Sequence, residues 1–410
     1  MKILVVSQYF FPENFIINDL ALKLAELGHS VTVVTGKPNY PTGVIAPGYR
    51  RKGVQRETFG ENVELFRIPL RPRGTGSAMA LFLNYMSFVI SGLLRMPRLL
   101  RGNDYDVVFA FCNSPITVAI PAIFIGRLKD AHVALWIQDL WPESLSSTGF
   151  IRNPFILALI GKMVRLIYRS SDTLLVQSEA FTKPVTFYAD RSKIHYFPNF
   201  SPPTRDSDAA GLPDDVRELM SDCFSVVFAG NLGKAQALST IVDAAHRLKA
   251  YPDIRIILVG TGSEAARLAR RLEEENLSNV RLTGQLDRKL MPAVFQCASA
   301  LMITLRNDPS LGMTIPSKVQ AYLQAGRPVV GALNGEGARL LSASGAALTV
   351  TAEDSEGLAN SILTLHSMPA ITRDNMGMAG RRYFNDHFEL DKSARQLVEI
   401  LNSRMRKRSR

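Results

Sequence analysis

At 410 residues the chain is long enough for two domains, or three. A hydrophobic share of 46% and a charged share of 21% give it a sizeable core and exclude widespread disorder. The net charge of +11 calls for an anionic partner: nucleic acid, an anionic membrane face or a phosphate-bearing substrate. Cys112, Cys223 and Cys297 stand far apart, without a Cys-x-x-Cys pair. They form no disulfide framework and read as buried thiols in a reducing cytosol.

Lys2 to Ser7 is a short aliphatic run, as a strand buried on both faces should be. It is too short for a signal peptide and no small-residue cleavage site follows. After the loop 9–14, Ile17 to Leu27 has helical periodicity and stops at Gly28, a good C′ residue. Val31 to Thr35 is a second strand. This βαβ opening calls for a parallel sheet with a right-handed crossover. Further strands are expected at Asn62–Ile68, Asp106–Phe111, Ala131–Ile137, Asp172–Gln177 and Ile194–Pro198. Residues 201–211 are rich in proline, serine, glycine and aspartate and read as an interdomain linker.

From Phe224 the alternation restarts, with strands near Ser225–Gly230, Ile254–Val259, Val280–Leu282, Ala300–Leu305, Pro328–Val330 and Ala346–Val350. Two such series imply an α/β protein of two Rossmann-like domains, 1–200 and 212–390, facing across a cleft. A terminal helix and basic tail, 391–410, follow. In open parallel sheets ligands bind at the carboxyl ends of the strands, so the loops there hold the candidate sites.

The stretch Phe228 to Gln236 is strand, glycine turn and the approach to a helix of about Ala237 to Ala250. Its backbone N–H groups, at the positive end of a helix dipole, would suit a diphosphate. Lys234 would add charge, and Asn231 and Gln236 hydrogen bonds. An ordinary βα turn with small residues fits the same letters, and the spacing is neither Gly-x-Gly-x-x-Gly nor a Walker A loop.

Residues 67–101 form a basic, apolar insertion. From Phe66 to Gly102 there are six arginines (67, 71, 73, 95, 98 and 101) and no acid. Ala78 to Leu94 carries no charge. As a helix it is about 25 Å long, short of the roughly 20 residues of a comfortable bilayer span. Asn84, Ser87 and Ser91 share one helical face. Either the segment docks on an anionic membrane surface, or it is a buried core helix ringed by solvated arginines. No nucleic-acid motif accompanies the charge. The six histidines show no ligand spacing, so no metal is expected.

The order of these signals resembles the GT-B glycosyltransferases of family 4, nearly end to end. The resemblance is carried by Leu27–Thr35, Leu174–Glu179, Phe197–Asn199, Phe228–Lys234, Leu258–Gly262, Leu282–Gln285, Ile315–Lys318, Gln324–Val330 and Gly380–Phe384. Pro38–Pro41 together with Asp139–Ser144 looks like the WbuB- or WcaI-like subgroup of bacterial O-antigen, capsule and exopolysaccharide assembly. The resemblance implies a retaining, metal-independent transferase without a cofactor. It would move an N-acetylated sugar such as N-acetyl-fucosamine from a nucleoside-diphosphate donor, UDP first, to a polyprenyl-diphosphate-linked acceptor. It further implies a cytoplasmic enzyme, peripheral on the inner face of the membrane, with the C-terminal helices returning to the N-terminal domain.

Carried over residue by residue, the donor and its diphosphate fall to Gly230, Asn231, Gly233, Lys234, Gln236, Gly262, Leu286, Ser317 and Lys318. The acceptor side falls to Glu13, Asn14, Asn39 and Tyr40. Asp139 and Glu143, with Lys318, are the catalytic candidates; a capped helix start explains the two acids equally well. The family's arginine and lysine near the glycine turn are replaced by Asn231 and Gln236. Its paired glutamates fall on Met313 and Ala321. A nucleotide-sugar epimerase and a non-catalytic nucleotide-sugar-binding subunit are the alternatives.

Overall fold

The computed structural model of the chain describes residues 1–74, 76–147, 151, 153–201 and 211–408. They divide into two compact units. The first is Met1–Phe200 with Leu390–Arg410, and the second is Ser201–Glu389. Residues 202–210 of the expected linker lie outside the described residues.

In the first unit the aliphatic runs become β1 (Lys2–Ser7), β2 (Ser30–Gly36), β4 (Val63–Ile68), β5 (Val107–Cys112), β6 (His132–Ile137), β7 (Thr173–Val176) and β8 (Ile194–Tyr196). An edge strand not expected from the sequence, β3 (Gln55–Phe59), pairs antiparallel with β4. Its five residues are all partly or fully exposed, so they carry none of the apolar continuity that marks the others. The sheet order is β3-β4-β2-β1-β5-β6-β7-β8, and all pairs but the first are parallel.

This order puts the helices on defined faces. The step from β1 to β2 runs one way along the sheet; the steps β4 to β5, β5 to β6 and β6 to β7 run the other way. Right-handed crossovers therefore place the helix Ile16–Glu26 on one face and the helices Ala78–Leu99, Ala119–Leu128 and Pro154–Arg169 on the opposite face. The side-chain alternation agrees. Ile3, Val5, Val107 and Phe109 share a core with Leu20 and Leu24 of the first helix.

The C-terminal helix Leu390–Arg408 joins that core through Leu390, Ala394, Leu397 and Leu401, a helical stripe drawn from the far end of the chain.

The uncharged segment forms a longer helix than its composition suggests, Ala78–Leu99, starting at the Ser77 cap and running through Pro97. Its polar stripe points inward. Asn84 accepts from Gln8 Nε2 at 2.7 Å and donates to the Arg71 carbonyl, and Ser91 is buried. Gly92 lets Pro121 of the next helix approach: a Cβ there would lie 2.7 Å from Pro121 Cβ. Nor are all the insertion's arginines solvated. Arg67 is fully buried, paired with Glu57 at 2.8 Å and set over the Tyr49 ring.

The second unit is one parallel sheet of β9 (Phe224–Ala229), β10 (Ile254–Val259), β11 (Val280–Gly284), β12 (Ala300–Thr304), β13 (Val329–Ala332) and β14 (Ala347–Val350). Its order is β11-β10-β9-β12-β13-β14. Helices cover both faces. Val226, Phe228, Ile256 and Leu258 enter one core; Val227, Ala229, Ile257 and Val259 enter the other. The α/β class with two Rossmann-like sheets, read from the sequence, is the one observed.

Both tryptophans, Trp136 and Trp141, belong to the first unit. Leu397→Ala, which empties a fully buried site, is expected to lower the tryptophan-monitored denaturation free energy by about 2–5 kcal/mol. An unchanged transition would show that the C-terminal helix contributes nothing to this core.

Candidate active site

The second sheet reverses its winding between β9 and β12, since β10 and β11 lie on one side and β13 and β14 on the other. Ligands of open α/β sheets bind outside the strand ends at such a point. A cavity of about 680 Å³ lies there. It is lined by Gly230 and Asn231 after β9, Leu305 after β12, and the first turn of the helix Ser317–Ala325. Among the described residues no aspartate or glutamate lines it, and the cations that do are Lys318, Arg288 and Arg381.

Lys318 reaches into the cavity from the second position of that helix. Its ammonium bonds Gln236 Oε1 at 2.6 Å and stands 3.5 Å from the centroid of the Phe228 ring. Burial lowers its pKa to about 7. The amides of Ser317 and Lys318, in a first helical turn, have no carbonyl of the same helix to bond. They add the positive end of the helix dipole to the lysine. Tyr322, one turn on, accepts from the Ala229 N–H at 2.9 Å and ties the end of β9 to this helix.

The glycine turn works differently from the sequence expectation. Gly230 N–H is spent on the Val259 carbonyl and Leu232 N–H on that of Thr261, both at 2.8 Å. Neither is a donor for a ligand. Gly230 instead makes room: at its φ of +133°, a Cβ would lie 2.8 Å from Lys318 Cε. Gly262 packs under the same turn, where a Cβ would come within 2.5 Å of Asn231 Oδ1 and the Leu232 carbonyl. The helix expected from Ala237 begins at Leu238, after a short turn at Lys234–Gln236 and a left-handed Ala237.

The candidate donor residues therefore separate. Gly230, Asn231, Gln236, Ser317 and Lys318 line the acid-free cavity. Gly233 and Lys234 line a second one of about 520 Å³, where Arg267 and Arg306 are offset by Asp243, Glu264 and Glu353. Leu286 packs against the apolar core and lines neither. Ala321 lines the first cavity; Met313 ends the short helix Pro309–Met313 and does not. Arg288 and Tyr322 escaped the sequence reading, and Arg381 entered it only within the Gly380–Phe384 match, with no site role. Tyr322 stands four residues beyond Lys318 on one helical face.

In the first unit the prolines Pro12, Pro41, Pro115 and Pro142 follow cis peptide bonds, in the loops after β1, β2, β5 and β6. Glu13 is buried and builds these loops. It accepts from Asn39 N–H and Tyr40 N–H at 2.7 Å each and from Phe10 N–H at 3.2 Å. Burial raises its pKa against the pull of these bonds. Asn39 is buried too, bonded to the carbonyl of Lys37 and the amide of Arg73. Asn14 is exposed. Tyr40 is half-exposed, clustered with Tyr9 and Phe15, with the Arg73 guanidinium 5.1 Å from its ring centroid.

The two candidate acids of this unit, Asp139 and Glu143, have different surroundings. Burial raises the Asp139 carboxyl above its ordinary pKa, against the Ser114 N–H bond that lowers it. Burial likewise raises Tyr85, with Asp139 adding to the rise and Arg73 opposing it. Glu143 opens a short helix and accepts from the Tyr188 hydroxyl at 3.3 Å. Among the described residues no group of three or more His, Cys, Asp or Glu side chains is placed to hold a metal ion.

Comparison with known families assigns both units. Residues 14–199 match the "Glycosyl transferase 4-like domain" and residues 223–368 match "Glycosyl transferases group 1". The chain is a GT-B glycosyltransferase. The transferase is 23% identical over 344 residues to the putative colanic acid biosynthesis glycosyl transferase WcaI of Escherichia coli K12, covering 80% of this chain and 82% of the relative. Its fold is that of sucrose-phosphate synthase from Thermosynechococcus elongatus, with a TM-score of 0.74 at 15% identity over 98% and 99% of the two chains. It is also that of Anabaena HepE, solved in complex with UDP, with a TM-score of 0.68 at 15% identity over 98% and 100%.

The Lys318 environment has a measurable consequence. Unfolding returns its pKa from about 7 to the ordinary 10.5. Between these values the unfolded chain binds the extra proton, so stability rises with pH across that window. The transferase carrying Lys318→Met should therefore exceed the wild type in stability by most below pH 7. The gap should close as pH rises toward 10.5, as read from denaturant unfolding followed by circular dichroism. A gap independent of pH would contradict the low pKa.

Proposed function

We propose that the transferase is a retaining, metal-independent enzyme. It moves an N-acetylated sugar, of which N-acetyl-fucosamine is the type, from a UDP donor to a polyprenyl-diphosphate-linked saccharide during surface-polysaccharide synthesis. It belongs, on this reading, with the WcaI- and WbuB-like enzymes. The observation that carries the donor side is the acid-free cavity at the winding reversal, with Lys318 and a helix start in its wall. A nucleoside diphosphate is the sugar carrier whose charge such a wall stabilises. HepE, which shares the fold, was solved with UDP. The name of WcaI supports the polysaccharide assignment.

In the proposed reaction the bond from the sugar's anomeric carbon to the β-phosphate oxygen breaks. The acceptor hydroxyl oxygen bonds to the same face of that carbon, and its proton passes to the departing diphosphate. Charge grows on the diphosphate as the bond stretches. Lys318 and the Ser317 helix turn stabilise it there, which is the largest contribution a protein can make to this chemistry. These groups supply the positive charge that a metal ion supplies in other designs. Asp139 and the Tyr40–Arg73 pair are the acceptor-side candidates of the first unit. Glu13 and Asn39 act by holding the Tyr40 loop.

Met313 and Ala321 stand where the family resemblance would put carboxylates, which favours the alternative of a non-catalytic nucleotide-sugar-binding protein. One experiment separates the readings. Labelled uridine- and guanosine-diphosphate sugars are offered with bacterial membrane lipid extract as acceptor, with and without EDTA. Label is expected in the lipid fraction, unchanged by EDTA and lowered more than about tenfold by Lys318→Ala. Nucleotide binding without transfer from any donor would favour the non-catalytic reading. Turnover of donor alone would favour an epimerase.

A further inference from the structure

Three helices make the outer layer of one face of the first sheet: Ala78–Leu99, Ala119–Leu128 and Pro154–Arg169. The middle one packs against both others. None of the three carries an aspartate or a glutamate, while they carry Arg95, Arg98, Arg127, Lys162, Arg165 and Arg169.

A helix that covers a sheet ordinarily buries its apolar stripe and turns polar residues to water. The first and third of these helices depart from that rule. Pro154–Arg169 buries only Val164, Ile167 and Tyr168, while Phe155 is 84% exposed, Leu159 67% and Leu166 68%. Phe155, Leu159, Lys162, Leu166 and Arg169 recur at steps of four, three, four and three, one stripe of apolar residues interleaved with cations. Ala78–Leu99 turns Asn84 and Ser91 inward and exposes Met79, Phe82, Ile90 and Leu94. Phe124 and Leu128 are exposed on the helix between them.

We propose that this three-helix face docks in the plane of an anionic lipid bilayer. Apolar side chains would enter the acyl boundary, and the long lysine and arginine stems would keep their charges at the headgroups. Charge selects this occupant over a second copy of the chain. A two-fold contact must be self-complementary, and here it would bring the cations of three acid-free helices against one another. The helix Ala78–Leu99 has the length and hydropathy of a membrane span. Its bonds from Asn84 to Gln8 and Arg71, and the contact of Gly92 with Pro121, make it instead a layer on the sheet. The proposal deepens the lipid-borne acceptor reading of the same enzyme, yet its observations are those of this face alone.

The test uses the full chain and flotation with phosphatidylcholine vesicles, with or without phosphatidylglycerol and without any glycolipid, so that docking is scored apart from acceptor use. The wild type is expected to float with the anionic vesicles and to be released by salt. Two variants, Leu159→Glu with Leu166→Glu and Lys162→Glu with Arg169→Glu, are each expected to weaken partitioning at least about tenfold, with unchanged circular dichroism. A wild type that stays with the protein fraction would overturn the proposal, and so would variants that float equally well. Sedimentation showing a wild-type dimer that Leu159→Glu with Leu166→Glu dissolves would assign the face to a second copy instead.

Discussion

An ammonium group held in a cavity without a carboxylate is the constraint around which the second unit is arranged. Removing a charge from water costs several kcal/mol unless something pairs with it. Lys318 meets that cost only in part, through the Gln236 side-chain Oε1 and the Phe228 ring, and its pKa falls to about 7. Gly230 is bare so that the lysine stem can pass, and Tyr322 ties its helix to the strand that ends there. An anion entering this cavity would complete a pairing that the protein itself leaves open.

Among the described residues, buried Glu13 and Arg67 have partners of their own, while Lys37, bonded to Gln55 Oε1 and lowered by burial to about 8, resembles Lys318. Glu13 accepts three backbone N–H bonds and serves the loops around it. Arg67 is paired with Glu57. Asp139 is nearer in kind to Lys318, a buried acid with a raised pKa and an amide for company. These surroundings, more than residue type, rank the candidates.

Much of the fold was legible because strands buried on both faces must be written as continuous apolar runs, and β1, β5, β6, β9 and β10 are. The edge strand β3 was not, because an edge needs no such run. The pairing of Leu390–Arg408 with a core assembled from the first residues was suggested by family resemblance and could not be read from periodicity. At the site, Lys318 and the glycine turn were visible as letters. What the glycines do was not: two turn amides are consumed by neighbouring carbonyls, and Lys234 is drawn to a different cavity. Arg288 and Arg381 reach the cavity from elements remote in sequence. The exposed helix Pro154–Arg169 escaped notice because an apolar helical period does not say whether its stripe faces a core or the outside.

The most direct test of the account is calorimetric titration of the protein with UDP at pH 8, in two buffers of different ionisation enthalpy. With Lys318 largely neutral before binding and protonated beside the diphosphate after it, uptake of close to one proton is predicted. Lys318→Met should bind more weakly and take up none. Tight UDP binding without proton uptake, unchanged by Lys318→Met, would place the diphosphate elsewhere and contradict the central claim.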